Sequence, residues 1–440
     1  MNGASRYQRT IATLGFFSLA AGDAWRNLLG WWGWAAVVAL LLAAMIVELV
    51  RIRVDVRRIP PTLGAFLLLA AASTAWSAYP GATGLGAAST IATAVGALFY
   101  AACLSWREIL ESLSTAIRWI LGLSFLFEFI VSAIIRRPVL PLWVDWSDLD
   151  RIPMAFYWSR DLLFDGGRIQ GIVGNANILA MVALLGLIVF LTRLAGHEGG
   201  RAWGWFWVVV AIAALTLAGS ATVAVTATAV AAVAALLLAV RRAPSRVRRI
   251  VLATGTTVLV AGAAAAWFAR DALLPLLGRS ADLTNRIEIW TAVADLAAQR
   301  PVAGWGWVSY WAPWVEPFRD LVTINGVTYL QAHNAWLDVY LQLGWIGVAV
   351  FATLVLGALL RAWNAAVDEP DPRMGEADPS WPLAAAPLLL LVAVLVQSLA
   401  ESRLIIEIGF AILCIVAIGT LPRRPRRPSA SGSSSPAGER

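Results

Sequence analysis

Runs of about twenty apolar residues recur along this chain with short polar breaks, and they limit its fold more than any other feature. Inside a bilayer an isolated strand leaves its backbone polar groups unpaired, so runs this apolar form helices. Hydrophobic residues make up 60% of the 440 residues and charged residues 14%, which excludes a soluble domain of this size. We therefore predict an all-α polytopic membrane protein.

We predict about twelve transmembrane helices, of which the first and the third are the weakest. Their expected positions are 10–27, 30–50, 61–76, 84–104, 111–135, 176–195, 203–219, 221–240, 249–268, 333–362, 382–399 and 404–421. The first run follows Arg6 and Arg9, as in a signal peptide, but a second apolar run follows it at once. We expect a retained first helix, with cleavage as the alternative.

Arginines orient the predicted helices. The sequence contains no lysine, so all 34 basic residues are arginines, and with 27 acidic residues the formal net charge is +7. With about twelve helices and a cytoplasmic N-terminus, four arginine clusters fall on the cytoplasmic side, as the positive-inside rule requires. They are Arg51, Arg53, Arg57 and Arg58; Arg193 and Arg201; Arg241, Arg242, Arg246, Arg248 and Arg249; and Arg423, Arg424, Arg426 and Arg427. These arginines adjoin apolar runs, so the expected partner is a lipid bilayer and not nucleic acid.

Residues 1–421 read as one transmembrane domain with two long extracytoplasmic loops, 136–175 and 269–332, the second with short helices. Long loops in compact proteins are usually functional or disordered. Both loops are rich in Trp and Tyr, and two interpretations remain open: an aromatic belt at the membrane surface or a stacking surface for sugar rings. The Arg-, Pro-, Ser- and Gly-rich tail 422–440 is expected to be disordered, basic and cytoplasmic.

Three outer arginines stand apart from those expected to pair with acidic residues. Arg279 and Arg286 are seven residues apart and so share one face of a helix. Trp290 follows Arg286 at the spacing that suits a cation–π contact. Arg168 lies seven residues before Asn175, where a predicted membrane helix begins. Because the planar fork of arginine suits phosphate, we predict that these residues bind an anionic group.

One of the only two histidines, His333, lies in His333-Asn334, between a Trp-rich loop and an apolar run. Histidine takes up a proton most readily near neutral pH, so His333 is the candidate general base for an acceptor hydroxyl. The alternative is a structural histidine at a helix start, bonded to backbone or to lipid. In the preceding segment, 301–307, which contains Trp305, glycines permit turns that bring the backbone close to a ligand.

Fewer polar residues fall within or between the later helices. Asp338 is five residues after His333 and is expected to face away from it. Glu401 and Arg403 lie in the predicted outer turn between the last two helices, near the expected site, and pairing with each other is the favoured interpretation. Two histidines and two cysteines are too few for a His-rich metal cluster, and no Walker loop occurs. We therefore expect no metal and no cofactor.

Four motifs together resemble the O-antigen ligase/polymerase superfamily, bacterial integral-membrane glycosyltransferases of the GT-C type. They are Asn-Arg-Ile-Glu-Ile-Trp at 285–290, Pro-Val-Ala-Gly-Trp-Gly at 301–306, His333-Asn334, and Leu-Gly-Trp-Ile-Gly at 343–347. The segment Arg168…Gly171…Asn175 is also similar to an Arg-x-x-Gly stretch of that family. The motifs fall within residues 165–350, and the rest of the chain matches only in its helix pattern.

The resemblance implies a GT-C-like fold and transfer of a glycan from an undecaprenyl diphosphate carrier to an acceptor hydroxyl. The reaction would take place at the outer face of the bacterial cytoplasmic membrane, without a metal or a nucleotide sugar at the active site. By position His333 matches the family's base and Arg286 a diphosphate-binding arginine. Asn334, Trp290 and Trp305 belong to the same motifs, and we count them with Glu401 and Arg403 as candidate substrate-binding residues.

One departure from the family pattern concerns the turn between two central helices. The family often has Ser-Arg there, whereas this chain has Ser220-Ala221, and Arg168 or Arg279 is the candidate replacement. The acceptor is a growing glycan in a polymerase, and a lipid or surface anchor in a ligase; the residues do not separate the two. A lipid-linked oligosaccharide flippase or other transporter is the alternative function, and a non-catalytic envelope scaffold is the third.

Overall fold

A computed structural model describes residues 3–147, 152–268, 281–324, 326–367 and 381–421. Within these ranges the chain is a bundle of α-helices with very little sheet. The helices are α1 Arg6–Ala20, α2 Gly22–Arg51, α3 Pro61–Ala72, α4 Pro80–Cys103, α5 Trp106–Ile130, α6 Ala176–Ala195, α7 Arg201–Ala218, α8 Ala221–Arg242, α9 Arg248–Phe268, α10 Ala281–Ala297, α11 Ala335–Val367, α12 Trp381–Gln397 and α13 Glu407–Gly419. A two-stranded antiparallel sheet, β1 Thr323–Ile324 and β2 Val327–Thr328, lies between α10 and α11. Short turns are 3-10 helices at Val56–Arg58, Ser73–Ala75, Met154–Phe156 and Ser402–Ile405, and a π-helical turn, Val131–Ile135, extends α5.

The helices confirm a helical protein built to cross a membrane several times. In the described ranges, 7 helices are long and apolar enough to do so, by length and composition. They are Gly22–Arg51, Pro80–Cys103, Trp106–Ile135, Ala176–Ala195, Arg201–Ala218, Ala221–Arg242 and Ala335–Val367, and shorter apolar helices are Pro61–Ala75, Trp381–Gln397 and Glu407–Gly419. The count of about twelve spans and the division into one domain with two outer loops stay predictions, and the tail 422–440 lies outside the described residues.

The first break in the helical path lies earlier than predicted. It was expected after residue 27, but α1 ends at Ala20 and α2 already begins at Gly22. Asp23 lies in the first turn of α2, where the helix dipole stabilises a carboxylate. Gly30 then bends α2, with φ 73° and ψ 179°. A glycine without a Cβ adopts this conformation freely, so the helical path is interrupted at Gly30, directly after the predicted break.

The larger hydrophobic core joins the membrane helices to the loop before α11. The ring of Phe66 in α3 lies 5.3 Å from that of Trp307, 5.2 Å from that of Phe351 and 6.0 Å from that of Phe410. Trp307 and Phe66 are fully buried. Aromatic side chains bury large areas, so this cluster anchors the loop in the bundle.

A second, smaller core fixes α10. Ile289 and Val293 of α10 are buried together with Trp311 and Phe318 of the following loop and with Leu341 of α11. The stacked rings of Trp311 and Phe318 lie 5.4 Å apart. Packing therefore holds α10, which carries Arg286, against the first part of α11.

The glycine-rich segment 301–306 lies against a bend in α11. Gly344 is not helical there, with φ 62° and ψ −164°, and the N–H of Trp305 donates to the Leu341 carbonyl over 3.1 Å. A Cβ at Gly344 would collide with the carbonyl oxygen of Val302, so glycine is needed for this approach. The approach of this backbone to α11 pairs polar groups that the bend frees, and an approach to a ligand stays a prediction.

Connections between the helices contact one another at two ends of the bundle. At one end, Arg168 Nε donates to the Ala218 carbonyl over 2.8 Å and so joins the segment before α6 to the α7–α8 turn. At the other end, Gln8 Nε2 donates to Glu48 Oε2 over 2.8 Å and joins the start of α1 to the end of α2. The described residues with predicted functional roles lie at the first of these ends.

Candidate active site

His333 lies in a strained turn directly before α11. Its φ is 49°, in the left-handed region that residues other than glycine seldom adopt. Asn334 caps α11, because its Oδ1 accepts hydrogen bonds from the N–H groups of Trp336 (3.0 Å) and Leu337 (3.1 Å). Strain of this kind persists only where surrounding contacts impose it. Asn334 therefore fixes the backbone that carries the imidazole.

The residue before His333 is held from both sides. Trp290 Nε1 donates to the Ala332 carbonyl over 3.0 Å, and the Ala332 N–H lies 3.2 Å from Asp338 Oδ2. The expected cation–π contact between Trp290 and Arg286 is not among the contacts of the described residues. Asp338 was expected to face away from His333 on one continuous helix. The helix starts only at Ala335, so the preceding turn folds back over Asp338.

The turn between α12 and α13 lies beside His333. The Ala335 N–H donates to the Ser398 carbonyl over 2.9 Å, and Trp336 Nε1 donates to the Ser398 hydroxyl over 3.0 Å. Three residues after Ser398, Glu401 Oε2 lies 2.9 Å from His333 Nδ1. The paired segments thus bring a carboxylate to the imidazole from 68 residues away.

Glu401 also contacts the predicted phosphate-binding arginine. Its Oε1 accepts a hydrogen bond from Arg286 Nη2 over 3.0 Å and lies 3.4 Å from Asn177 Nδ2. Arg286 Nη1 donates to the Thr222 hydroxyl over 3.2 Å. The Glu401 side chain is only 9% exposed, against 13% for Arg286 and 20% for His333. The imidazole is therefore the most accessible of these three side chains.

Electrostatics settle the protonation of Glu401. Burial raises the pKa of this carboxyl, but the charges and hydrogen bonding of His333, Arg286 and Arg403 outweigh burial, and the net pKa lies below its ordinary value of 4.5. The ion pair with Arg286, which persists when His333 is neutral, keeps Glu401 ionised, so this carboxylate only accepts hydrogen bonds. In the neutral imidazole the Nδ1 proton then faces Glu401, and Nε2 keeps its lone pair. Nε2 is thereby left able to accept a proton.

Arg168 lies at the α7–α8 turn. Besides its bond to Ala218, its Nη2 donates to Asn177 Oδ1 over 2.6 Å, and the same oxygen accepts a hydrogen bond from the Ser220 hydroxyl over 2.9 Å. The aliphatic part of Arg168 packs against Gly219, with its Cγ 3.4 Å from where a Cβ would stand. The guanidinium therefore occupies the turn in which Ala221 stands in place of the family's arginine.

Buried Glu128 of α5 holds the segment that follows Arg168. Its Oε1 accepts hydrogen bonds from the N–H groups of Gln170 (2.9 Å) and Gly171 (2.7 Å), and its Oε2 accepts one from the Ser159 hydroxyl (2.8 Å). These charge-assisted bonds satisfy a carboxylate that is 1% exposed. Glu128 thus positions the loop that carries Arg168.

Arg403 is not paired with Glu401, and that prediction is wrong. Arg403 forms an ion pair with Glu407 and lies 4.0 Å from Asp23 of α2. Arg26 also pairs with Asp23 and lies 3.6 Å from Glu407. Two residues that are close in a turn can face different partners. The Arg403 side chain faces the carboxylates at the start of α2 and α13.

Two further predicted residues lie apart from this cluster. Trp305 Nε1 donates to the Leu296 carbonyl over 2.9 Å, and the Arg300 guanidinium lies 4.2 Å from its ring centroid. Trp305 therefore connects α10 to the loop after it. Arg279 falls outside the described residues.

Three residues that the sequence analysis did not single out line the site: Asn177, Ser220 and Thr222. Asn177 follows the helix cap Asn175 by two residues, and its side chain links Arg168 to Glu401. Ser220 and Thr222 flank Ala221, which stands where the family often has an arginine. The sequence analysis considered the missing arginine but not the two hydroxyl groups beside it. Their position next to Ala221, where the chain departs from the family pattern, is the sequence feature that could have indicated them.

We expected no metal, because the chain has too few His and Cys residues for a metal cluster. In the described part of the chain, no group of three or more His, Cys, Asp or Glu side chains is arranged to hold a metal ion. One Asp-x-Asp pair does occur in the first long loop, Asp148-Leu149-Asp150. The expectation of a metal-free site also assumed that the outer loops contain no such pair, and this assumption is wrong; the pair itself falls outside the described residues.

The central part of this site lies in a segment shared with known proteins. Residues 206–352 match the family model of the O-antigen ligases. The match confirms the resemblance that the motifs indicated, and it supports glycan transfer of the ligase or polymerase type in general. A search of curated proteins found no match to the chain. His333, Arg286 and Thr222 lie inside the matched segment, whereas Arg168 and Glu401 lie outside it.

Proposed function

We propose that this protein transfers a glycan from an undecaprenyl-diphosphate-linked donor to an acceptor hydroxyl. The reaction takes place at the outer face of the bacterial cytoplasmic membrane, and both chain termini lie in the cytoplasm. The observation that carries the proposal is the contact of one carboxylate, Glu401, with both His333 and Arg286. A proton acceptor and an anion-binding group are thereby held next to each other at one end of the bundle.

His333 acts as the general base in this proposal. The acceptor hydroxyl gives its proton to Nε2 while its oxygen forms the new bond to the anomeric carbon. The bond from that carbon to the diphosphate oxygen breaks, and its electron pair leaves with the diphosphate. The ionised Glu401 stabilises the imidazolium that forms, as the carboxylate does in a Ser-His-Asp triad. Glu401 is therefore a positioning residue.

Arg286 and Arg168 bind the diphosphate. Negative charge grows on the leaving group in the transition state, and fixed guanidinium groups stabilise it. Arg168 takes the place of the arginine missing at Ala221, since its side chain packs on Gly219 and bonds to Ala218. The two arginines outweigh the single charge of Glu401, so the cluster favours an anion. Asn334 and Trp290 hold the turn of His333, and the chemistry proposed needs no metal.

The acceptor, a growing glycan or a terminal lipid anchor, decides between polymerase and ligase. We would measure the length profile of the envelope polysaccharide in a deletion strain complemented with wild type or with His333→Ala, at matched protein levels. Loss of long chains, with single repeat units still anchored, assigns a polymerase. Loss of all anchored glycan, with long lipid-linked chains accumulating, assigns a ligase. A normal profile with His333→Ala refutes the base, and a normal profile in the deletion strain itself refutes the function.

A further inference from the structure

Three arginines gather at the end of the bundle opposite the candidate active site. Arg107 and Arg118 belong to α5, and Arg193 belongs to α6. Asn177 of the active site and Arg193 are sixteen residues apart in α6, which corresponds to about 24 Å along the helix axis. The arginine cluster is therefore separate from the proposed transfer site.

Only part of this positive charge is neutralised by pairing. Arg107 forms an ion pair with Glu198, and Arg193 Nη2 lies 4.0 Å from the other oxygen of that carboxylate, too far for a hydrogen bond. Arg118 also interacts electrostatically with Glu111. Arg118 and Arg193 thus lie in the field of these two carboxylates together with Arg107.

Two buried nitrogen atoms in the cluster donate to no acceptor, although Glu198 Oε1, which forms the ion pair with Arg107, also has no hydrogen bond of its own. Arg118 Nε and Arg193 Nη1 have no hydrogen-bond partner among the described residues. The Arg118 guanidinium lies 5.6 Å from the ring centroid of Phe190, one helical turn before Arg193 on the same face of α6. Buried charged donors are costly unless an acceptor satisfies them. One anion with several oxygens could accept from both.

Exposed aromatic side chains lie beside the two arginines. The Arg118 guanidinium lies 6.0 Å from the ring centroid of Trp203 at the start of α7. Trp203 stacks on Phe206 at 5.4 Å, and the two side chains are 53% and 51% exposed on the outer surface of the bundle. Aromatic residues in such positions contact lipid at the membrane surface.

We propose that Arg118 and Arg193 bind the phosphate of an anionic phospholipid of the cytoplasmic leaflet, whose acyl chains lie along Trp203 and Phe206. Basic pockets between membrane helices on the cytoplasmic side suit such headgroups. The exposed aromatic surface favours a lipid over free phosphate, because inorganic phosphate has no apolar part to cover it.

The test compares lipid binding by purified full-length protein, measured by native mass spectrometry and by the shift of Tm on lipid addition. The probes are phosphatidylglycerol, phosphatidylcholine and inorganic phosphate. We expect wild type to prefer phosphatidylglycerol and Arg118→Gln/Arg193→Gln to bind it about thirtyfold more weakly, since each charge-assisted hydrogen bond lost to the phosphate contributes a factor of about five or more. The matched control is Arg57→Gln/Arg58→Gln, which removes the same charge from exposed residues at the same end.

Each outcome decides the proposal. Retained preference in the Arg118→Gln/Arg193→Gln protein, or an equal loss in the control, overturns the site. A Tm shift with inorganic phosphate that equals the shift with phosphatidylglycerol overturns the lipid as occupant. If the double variant does not fold, wild type alone remains informative, because equal binding of phosphatidylglycerol and phosphatidylcholine contradicts the proposal.

Discussion

The substitution Glu401→Gln tests the proposed active site most directly, because it keeps the shape of the side chain and removes its charge. The carboxylate accepts hydrogen bonds from His333 Nδ1 at 2.9 Å and from Arg286 Nη2 at 3.0 Å. The two donors contact different oxygens of the carboxylate, so the single oxygen of an amide in the same position can replace only one of these contacts. When its NH2 group faces the imidazole, Nδ1 must accept, and Nε2 then carries the proton and cannot act as a base.

The expected loss follows from the role of His333. General base catalysis contributes about 10²- to 10⁴-fold to a rate, and a wrong tautomer forfeits most of it, so we expect kcat to fall by on the order of 10³. The KM for the donor should not rise, because Arg286 remains in place and loses its internal carboxylate. A fall in kcat without a rise in KM distinguishes a positioning role from a collapsed site.

The assay is transfer by the purified protein from a polyprenyl-diphosphate-linked glycan, with the product separated by length. Glu407→Gln is the matched control, since it removes a carboxylate that pairs with Arg403 and does not contact His333. If Glu401→Gln keeps more than about a tenth of the wild-type kcat, Glu401 does not set the tautomer of the base. An equal loss in Glu407→Gln would show that the effect is not specific to the His333 contact.

Three further changes test the anion-binding residues and the proposed chemistry. Arg286→Lys should lose about ten- to a hundredfold in kcat/KM, close to the loss in Arg286→Ala, because one ammonium cannot reach both Glu401 and Thr222; full activity would count against diphosphate binding. Arg168→Ala should raise the KM for the donor, and adding Ala221→Arg should restore part of the activity, whereas no rescue would contradict the proposed replacement. EDTA should leave transfer unchanged in the same assay; inhibition that a divalent cation reverses would direct attention to Asp148 and Asp150.

The helical class could be predicted from sequence, and so could the placing of His333 and Arg286 as candidates, because both rest on local patterns. Apolar runs of membrane length report helices directly. His333 and Arg286 lie in short motifs whose spacing is visible in the chain. The turn between α1 and α2 was harder to predict, because hydropathy is nearly uniform from Ala20 to Gly30. Only backbone geometry shows that the chain turns before Gly22 and bends at Gly30.

The partners of the site residues could not be predicted, because they are tertiary contacts between distant segments. Glu401 was named, but its sequence neighbour Arg403 was taken as its partner. The structure pairs it with residues 68 and 115 positions away. Asn177 and Thr222 are single polar residues at helix starts, a type too common to indicate a site. Their roles follow from which helix ends meet in the bundle, and the sequence does not show which ends those are.

The site combines charges from inside and outside the family match, and this division bears on its chemistry. Residues 206–352 contain the proposed base, His333, and the proposed anion-binding residue, Arg286. The carboxylate that orients the base and the second arginine, Glu401 and Arg168, come from the α12–α13 turn and from the segment before α6. Without Glu401, nothing in the matched segment would fix the tautomer of His333. Without Arg168, the proposed diphosphate site would lack its second guanidinium group. Packing of the α12–α13 turn and of the segment before α6 against α8, α10 and α11 is therefore part of the proposed catalytic apparatus. Glu128 of α5 holds the loop that carries Arg168, so substitutions of Glu128 should weaken donor binding and leave the base unchanged.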